Sequence, residues 1–269
     1  MADFNQHFLT AINASIEAGL AILKVYESTI EVELKDDKSP LTQADKASHL
    51  VIKKALEGTY PILSEEGREI NFEERKSWKQ FWLVDPLDGT KEFIKRNGQF
   101  TVNIAFIENG FPAAGIIYVP VTKELFFAFE GKAYKAENIA SSFQSLADAT
   151  KNAVTLNGAY SGKVKVVASR SHMSAETEEV INSLKTKPGE VEVVSAGSSL
   201  KFCLVAENKA AFYPRYAPTM EWDTGAGQAI VEAAGGKVID YTTQQRKSYN
   251  NENLLNNWFL VTAKGFEVE

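Results

Sequence analysis

The stretch Phe81-Trp82-Leu83-Val84-Asp85-Pro86-Leu87-Asp88-Gly89-Thr90 constrains the fold more than any other part of the sequence. Its short apolar run reads as a buried strand whose C-terminal end delivers Asp85. Pro86 stiffens the turn between the two aspartates, and Gly89 permits close backbone approach. Two carboxylates on one short turn can converge on a single hard cation. Mg²⁺ suits such a turn, because it takes oxygen ligands at about 2.0–2.1 Å and keeps several of its waters. If a helix starts here, the amides of Gly89 and Thr90 face an anion. An Asx-type turn, in which the aspartates bond only local backbone, remains open on this segment alone.

The flanking pattern is mixed α and β. Residues 3–27 carry Phe4, Phe8, Ile12, Ile16, Leu20 and Leu23 at helical spacing. Residues 31–40 are polar and read as a loop or hairpin. Thr42 opens a second helix with the capping-box pair Thr42 and Asp45, and Leu50, Val51 and Leu56 follow on one face. Thr101–Ile107, Gly115–Val119 and Glu124–Phe129, punctuated by Asn109-Gly110 and Glu130-Gly131, predict an antiparallel meander. Residues 137–162 are rich in Ala, Ser, Asn and Gly and mark a boundary. This gives an α+β unit over 1–150 and an α/β unit over 151–269. In the second unit, strands at 164–168, 191–194, 210–213, 237–241 and 258–261 alternate with helices at 174–186, 198–207 and 223–234, the pattern of a layered α/β half.

Further acids stand at informative places. Glu65-Glu66 follows the apolar Ile62-Leu63, and Asp223 precedes the helix at 224. Taken singly, Glu65 reads as a solvated glutamate, Asp223 as an N-cap and Asp45 as a capping-box acid. Together with Asp85 and Asp88 they form a constellation. Two carboxylates about 4 Å apart repel by roughly 4 kcal/mol at an effective dielectric near 20, so a convergence of four calls for cations. The net charge is −6 and the pI about 5.3. That charge argues against nucleic acid and anionic membranes as partners, and suits an anionic substrate only where bound Mg²⁺ inverts the local field. Haloacid-dehalogenase phosphatases also end an apolar strand in aspartates. They place one residue between the two, whereas here Pro86 and Leu87 intervene, which favours metal ligation over a covalent nucleophile. Cys203 stands alone, so no intrachain disulfide forms; it reads as a small core residue in an apolar helix. The N-terminus shows no signal-peptide pattern, and no apolar run approaches the roughly 20 residues of a membrane span. The cytoplasm is the expected compartment, with a peripheral position on the cytoplasmic face of the inner membrane left open.

Asp45, Glu65-Glu66, Asp85 to Thr90, and Trp222-Asp223 followed by eleven residues and Gly235-Gly236 resemble the inositol monophosphatase superfamily over nearly the whole chain. Ser169-Arg170-Ser171-His172, Gly197 to Glu207, Tyr213-Pro214-Arg215-Tyr216 and Pro218-Thr219 resemble, within it, the bacterial 3'(2'),5'-bisphosphate nucleotidases of the CysQ type. The resemblance implies an αβαβα layered sandwich combining α+β and α/β parts, the inositol monophosphatase or sugar phosphatase-like fold. It implies a lithium-sensitive, magnesium-dependent phosphomonoesterase that converts adenosine 3',5'-bisphosphate to AMP and phosphate in sulfur metabolism. Glu65, Asp85 and the Leu87 carbonyl would hold one metal. Asp85, Asp88 and Asp223 would hold a second, and a third, weaker ion near Glu65 is allowed. Thr90 and Asp45 would orient and deprotonate the attacking water, with Glu65 beside them. The reacting phosphate would touch Glu65, Leu87, Asp88, Gly89, Thr90 and Asp223. His172, Ser198, Lys201 and Arg215 would face the second phosphate and the base. Two alternatives stand: an inositol or sugar monophosphatase sharing every metal ligand, and a non-catalytic nucleotide-sensing protein. The expected partner is a small nucleotide bisphosphate, the expected assembly a monomer or homodimer, with no nucleic acid and no transmembrane segment.

Overall fold

The computed structural model describes residues 2–28, 32–34, 40–151, 153–168, 174–185 and 191–267. Helix α1 (Ala2–Tyr26) is followed by the strands β1 (Val32–Leu34) and β2 (Pro40–Thr42), which pair as an antiparallel hairpin. Helix α2 (Gln43–Leu56) is set by the capping box read from the sequence: the Ala44 amide donates to Thr42 Oγ1 at 3.1 Å, and the Thr42 amide donates to Asp45 Oδ2 at 2.8 Å. Next come β3 (Ile62–Ser64), α3 (Phe72–Arg75), β4 (Gln80–Asp88), α4 (Thr90–Ile94), β5 (Thr101–Glu108), β6 (Phe111–Val119), β7 (Glu124–Phe129), β8 (Lys132–Ala136), α5 (Leu146–Lys151) and β9 (Val154–Thr155). The strands β3 to β9 form one sheet in chain order, antiparallel except for the parallel pair β3–β4. The remaining elements are β10 (Lys165–Ala168), α6 (Ala175–Lys185), β11 (Glu192–Ser195), α7 (Leu200–Ala206), β12 (Phe212–Arg215), a 3₁₀ turn (Glu221–Asp223), α8 (Gly225–Ala233), β13 (Lys237–Asp240) and β14 (Phe259–Thr262). Their strands make a five-stranded sheet in the order β11-β10-β12-β14-β13.

Alternation along the strands decides the layering. Trp82, Val84, Val102, Ile104 and Phe106 point to one face of the large sheet and pack with Phe8, Ile12 and Ile16 of α1 and Ile52 of α2. Phe81, Leu83, Ala105 and Ile107 point to the other, against Phe202 and Val205 of α7 and Ala226 and Ile230 of α8. That middle helical layer also covers Val238, Phe259 and Val261 of the small sheet, whose far side meets Ile181 of α6. The result is αβαβα. Each buried aliphatic or aromatic side chain contributes on the order of 2 kcal/mol. The middle layer sits close to the large sheet because Gly115 has no side chain: a Cβ there would meet the Ala226 carbonyl at 2.6 Å.

Several sequence expectations shift. In α1 the stripe reaches Ile22, and Leu20 is 38% exposed. In α2 the buried positions are Ala44, Asp45, Ser48, Ile52 and Leu56, whereas Leu50 is exposed, because the buried stripe steps to Ile52. Helix α1 is, by length and composition, apolar enough to span a bilayer, contrary to the reading of the sequence. One face of it, with Phe8, Ile12, Ile16 and Ile22, is instead packed in the core.

Candidate active site

A defect in β4 creates the site. In a regular strand, side chains three apart point to opposite faces. Here Asp85 pairs with Asn103 and Asp88 with Thr101, so three steps on β4 oppose two on β5. The extra residue of this bulge turns both aspartates to the same face. Pro86, which cannot donate to a ladder, lies within the irregularity. The neighbouring parallel strand supplies the third acid: Ser64 pairs with Val84, and the Glu65 amide donates to the Val84 carbonyl at 3.1 Å, which sets Glu65 beside Asp85. The fourth, Asp223, arrives on the 3₁₀ turn that leads into α8. The helix itself starts at Gly225, so Asp223 is not its N-cap.

Burial pushes the Asp85 carboxyl well above the usual carboxylate range, and Glu65, Asp88 and Asp223 push it further. A hydrogen bond between the Glu65 and Asp85 carboxyls acts in the same direction. Asp223 is raised first by burial, then by Asp88. The four acids therefore share one desolvated region. Each aspartate is tethered through one oxygen: Asp85 Oδ1 accepts the Leu87 amide at 3.0 Å, Asp88 Oδ2 accepts Ser199 Oγ at 2.7 Å, and Asp223 Oδ2 accepts the Met220 amide at 2.8 Å. The Asx-type turn at Asp85 is thus present, and it positions the acid rather than neutralising it. Among the described residues, no three of these side chains are already drawn around one point at metal-ligand distance. The donor set, carboxylates with a backbone carbonyl, is one of hard oxygens that fits Mg²⁺ or a similar cation.

Asp45 and Thr90 meet beside the acids. Asp45 is 2% exposed, and its Oδ2 accepts the Thr42 hydroxyl at 2.6 Å while its Oδ1 accepts Thr90 Oγ1 at 3.2 Å. The Leu87 carbonyl lies 3.5 Å from the same hydroxyl. Gly89, at φ 94°, precedes α4, and a Cβ there would meet the Gln99 carbonyl at 3.2 Å and Ser198 Cβ at 3.2 Å. The position therefore needs glycine for both backbone and space.

From Asp88, Gly89 and Asp223 a cleft of about 280 Å³ extends to Lys201 and Arg215. That volume is near the lower end of the roughly 300–1,000 Å³ of small-molecule sites. Lys201 is buried, not a solvated helix residue. Its Nζ donates to the Ser198 carbonyl at 2.7 Å, and burial lowers its pKa to about 8. Arg215 Nη2 donates to the Pro218 carbonyl at 3.1 Å, and its buried Nε has no partner. Ser198 lines the cleft, but its hydroxyl donates to the Gln99 carbonyl at 3.1 Å. His172 lies outside the described residues. His49 is half-buried, with Nδ1 3.0 Å from Ser64 Oγ.

The sequence reading missed Ser199 and Asn103. Ser199 Oγ donates to Asp88, Asn103 Nδ2 donates to Ser199 Oγ at 2.9 Å, and Thr101 Oγ1 donates to Asn103 Oδ1 at 2.9 Å. Alternation that places Thr101 and Asn103 on one face of β5 hinted at Asn103, and no local pattern hinted at Ser199.

Residues 5–265 match the Inositol monophosphatase family. The chain is 46% identical over 250 residues to the 3'(2'),5'-bisphosphate nucleotidase CysQ of Salmonella typhimurium, covering 91% of this chain and 95% of that protein. It is 45% identical over 250 residues, with the same coverage, to the protein of that name from Escherichia coli. Among solved structures, CysQ from Bacteroides thetaiotaomicron superposes with a TM-score of 0.89 at 48% identity, covering 97% of this chain and 98% of that one. An inositol monophosphatase from Thermotoga maritima superposes at 0.67 with 21% identity over 93% and 89% of the two chains, a likeness of fold alone. The chain belongs to the inositol monophosphatase family, whose members are generally metal-dependent.

Proposed function

We propose that this protein is a magnesium-dependent 3'(2'),5'-bisphosphate nucleotidase, a phosphoric monoester hydrolase that converts adenosine 3',5'-bisphosphate to AMP and phosphate. One observation carries the reading: the four-acid region opens into a cleft whose far wall holds two cations, Lys201 and Arg215. Among the described residues, neither has a carboxylate hydrogen-bonded to it. A substrate with two phosphates spaced by a ribose spans such a site. An inositol monophosphate has nothing to offer the second wall. The relatives named CysQ support the same reading.

In this reading Glu65, Asp85 and the Leu87 carbonyl would hold one metal ion, and Asp85, Asp88 and Asp223 would hold a second, with a third near Glu65 allowed. Bound there, Mg²⁺ supplies an acidified water and charge neutralisation at the leaving oxygen. The chain's own groups do the rest. Asp45 accepts from Thr90 Oγ1, so the hydroxyl can pass a proton from water toward the carboxylate. The Gly89 and Thr90 amides face the non-bridging phosphate oxygens. Lys201, Arg215 and Ser198 line the wall for the second phosphate and base; a contact from His172 rests on the family resemblance alone. Residues 1–150 thus bring most metal ligands and residues 151–269 bring Asp223 and the nucleotide wall. The buried lone thiol of Cys203 suits a reducing compartment, and we place the enzyme in the cytoplasm.

The test is phosphate release from adenosine 3',5'-bisphosphate with and without Mg²⁺, beside inositol 1-phosphate. We expect metal-dependent release with preference for the bisphosphate. Faster hydrolysis of inositol 1-phosphate would replace the substrate assignment, and tight nucleotide binding without release would reject the enzyme.

A further inference from the structure

The turn that carries Asp223 is a thin wall between two cavities. The cleft touches Asp223 and Thr224, while a second cavity of about 530 Å³ touches Met220, Trp222 and Glu252. The turn aims its own carboxylate through the Met220 amide, and Ser199 Oγ donates to the Asp223 carbonyl at 2.9 Å, but the placement of the whole turn is also set from behind by a segment from residue 250 to 256. Glu221, 1% exposed, accepts the Asn250 amide at 2.7 Å, the Asn251 amide at 3.0 Å and Asn251 Nδ2 at 2.8 Å. The Glu221 amide donates to the Leu254 carbonyl at 2.9 Å, and Asn256 Nδ2 donates to the Met220 carbonyl at 2.7 Å.

The other end of this clamp is held by helix α3, which connects two strands of the large sheet. Arg75, 2% exposed at the end of α3, donates through Nη1 to Asn250 Oδ1 at 2.9 Å and the Asn251 carbonyl at 2.7 Å. Its Nη2 donates to the Glu252 carbonyl at 2.9 Å, and Asn250 Nδ2 donates back to the Arg75 carbonyl at 2.8 Å. Helix α3 lies in the chain between β3, which leads into Glu65, and β4, which ends at Asp85 and Asp88. The planar guanidinium thus ties the segment bearing three of the acids to the turn bearing the fourth.

We propose that Arg75 and Glu221 are positioning residues that set the separation of Asp223 from Asp85 and Asp88, and through it the affinity for the second metal. The inference rests on the reading of Asp223 as a ligand. Groups that orient metal ligands change affinity by about 10–100-fold when removed. A clamp that served folding alone would lower stability and leave metal affinity untouched.

The experiment titrates the full chain with Mn²⁺ and follows the free ion by electron paramagnetic resonance. In parallel it measures the Mg²⁺ concentration for half-maximal turnover, and thermal unfolding without metal. For Glu221→Gln, nearly isosteric, and Arg75→Met, we expect the weaker Mn²⁺ dissociation constant and the Mg²⁺ half-saturation each to rise about tenfold. The kcat at saturating Mg²⁺ should stay within about twofold. Arg75→Lys should recover part of the loss. If Arg75→Met does not fold, Glu221→Gln carries the comparison. Unchanged Mn²⁺ binding in Glu221→Gln, with only a lower melting temperature, overturns the proposal. Asp223→Asn is the control: if it retains every Mn²⁺ site, the ligand assignment beneath the proposal is what has failed.

Discussion

Two lysines of nearly equal burial, Lys135 at 7% and Lys201 at 8% exposed, differ in how closely carboxylates meet their charge. Lys135 lies at the seam between the large sheet and α7, with Nζ 2.6 Å from Glu124, 2.9 Å from Glu207 and 3.0 Å from Glu137. Burial works against its charge, but those hydrogen bonds outweigh it and hold the pKa above the ordinary value. Lys201 lies in the cleft with a single hydrogen bond to a backbone carbonyl, and burial takes its pKa down to about 8. Folding has spent its stabilising partners on the first lysine and withheld them from the second. Burial alone does not mark function. A buried charge with no carboxylate hydrogen-bonded to it does, because burial outweighs the more distant pull of Asp88, Glu92 and Asp223 and leaves donors free for a ligand of opposite sign.

The largest effect tests the acidic half of the cleft. Asp85→Asn removes the acid placed in both metal sites, and turnover should fall by about a thousandfold, or about 4 kcal/mol. In the metal-free protein the same change removes a buried carboxyl crowded by Glu65, Asp88 and Asp223, so the melting temperature should rise. Retained turnover, or a fall in melting temperature, breaks the picture of a cleft held under electrostatic deficit. The next effect belongs to the seam. Lys135→Met leaves Glu124 and Glu137 without their hydrogen-bonded cation and Glu207 with Lys209 alone, and denaturant unfolding should show a loss of about 3 kcal/mol. Turnover per folded molecule should not change. Lys201→Gln should do the reverse: KM for the bisphosphate rises about tenfold, the worth of one charged hydrogen bond, while stability holds or improves. Inositol 1-phosphate should scarcely notice it. If Lys135→Met and Lys201→Gln had similar effects on both stability and KM, the distinction between the two regions would be lost.

The same contrast explains what the sequence made legible. Features written within a few consecutive residues could be read: the Asp85 to Thr90 turn, the Thr42 and Asp45 capping box, the Gly89 requirement and the main strands of the meander. The convergence of Glu65 and Asp223 on that turn came from resemblance, since nothing local to either residue demands it. Short elements escaped. Helix α3 depends on the Asn71 cap, and β8 and β9 are too short to show a period. Supporting polar residues escaped for a deeper reason. Ser199 reaches Asp88 across 111 positions and Arg75 reaches Asn250 across 175. A serine or arginine carries no pattern that announces such a partner. Lys201 and Glu221 likewise gain their meaning only from being buried, and burial of one polar residue is a property of the packed layers, not of its neighbours in the chain.

The smallest effect is a pH dependence, and here the two lysines should separate by sign. Lys201 has an ordinary value of 10.5 when unfolded and about 8 when folded. Between those values the unfolded chain binds more protons, so stability rises with pH across the window, and the contribution present above 10.5 is lost as pH falls through about 8. Lys135 is shifted the other way: its contribution is complete below its ordinary 10.5 and is lost only as pH rises through the higher folded value. Its partner Glu124 is raised by burial but lowered more by hydrogen bonds to Lys135 and Thr122, so its contribution is present above the ordinary 4.5 and lost as pH falls through the depressed folded value. Unfolding measured from pH 4 to 10 should therefore show Lys201→Gln flattening the alkaline rise and Lys135→Met flattening the acid loss. In turnover, KM for the bisphosphate should climb above about pH 8 as Lys201 sheds its proton in the free enzyme, by an amount that Lys201→Gln abolishes. A KM that climbs equally in Lys201→Gln would assign the alkaline limb to another group and leave Lys201 with no share in holding the second phosphate.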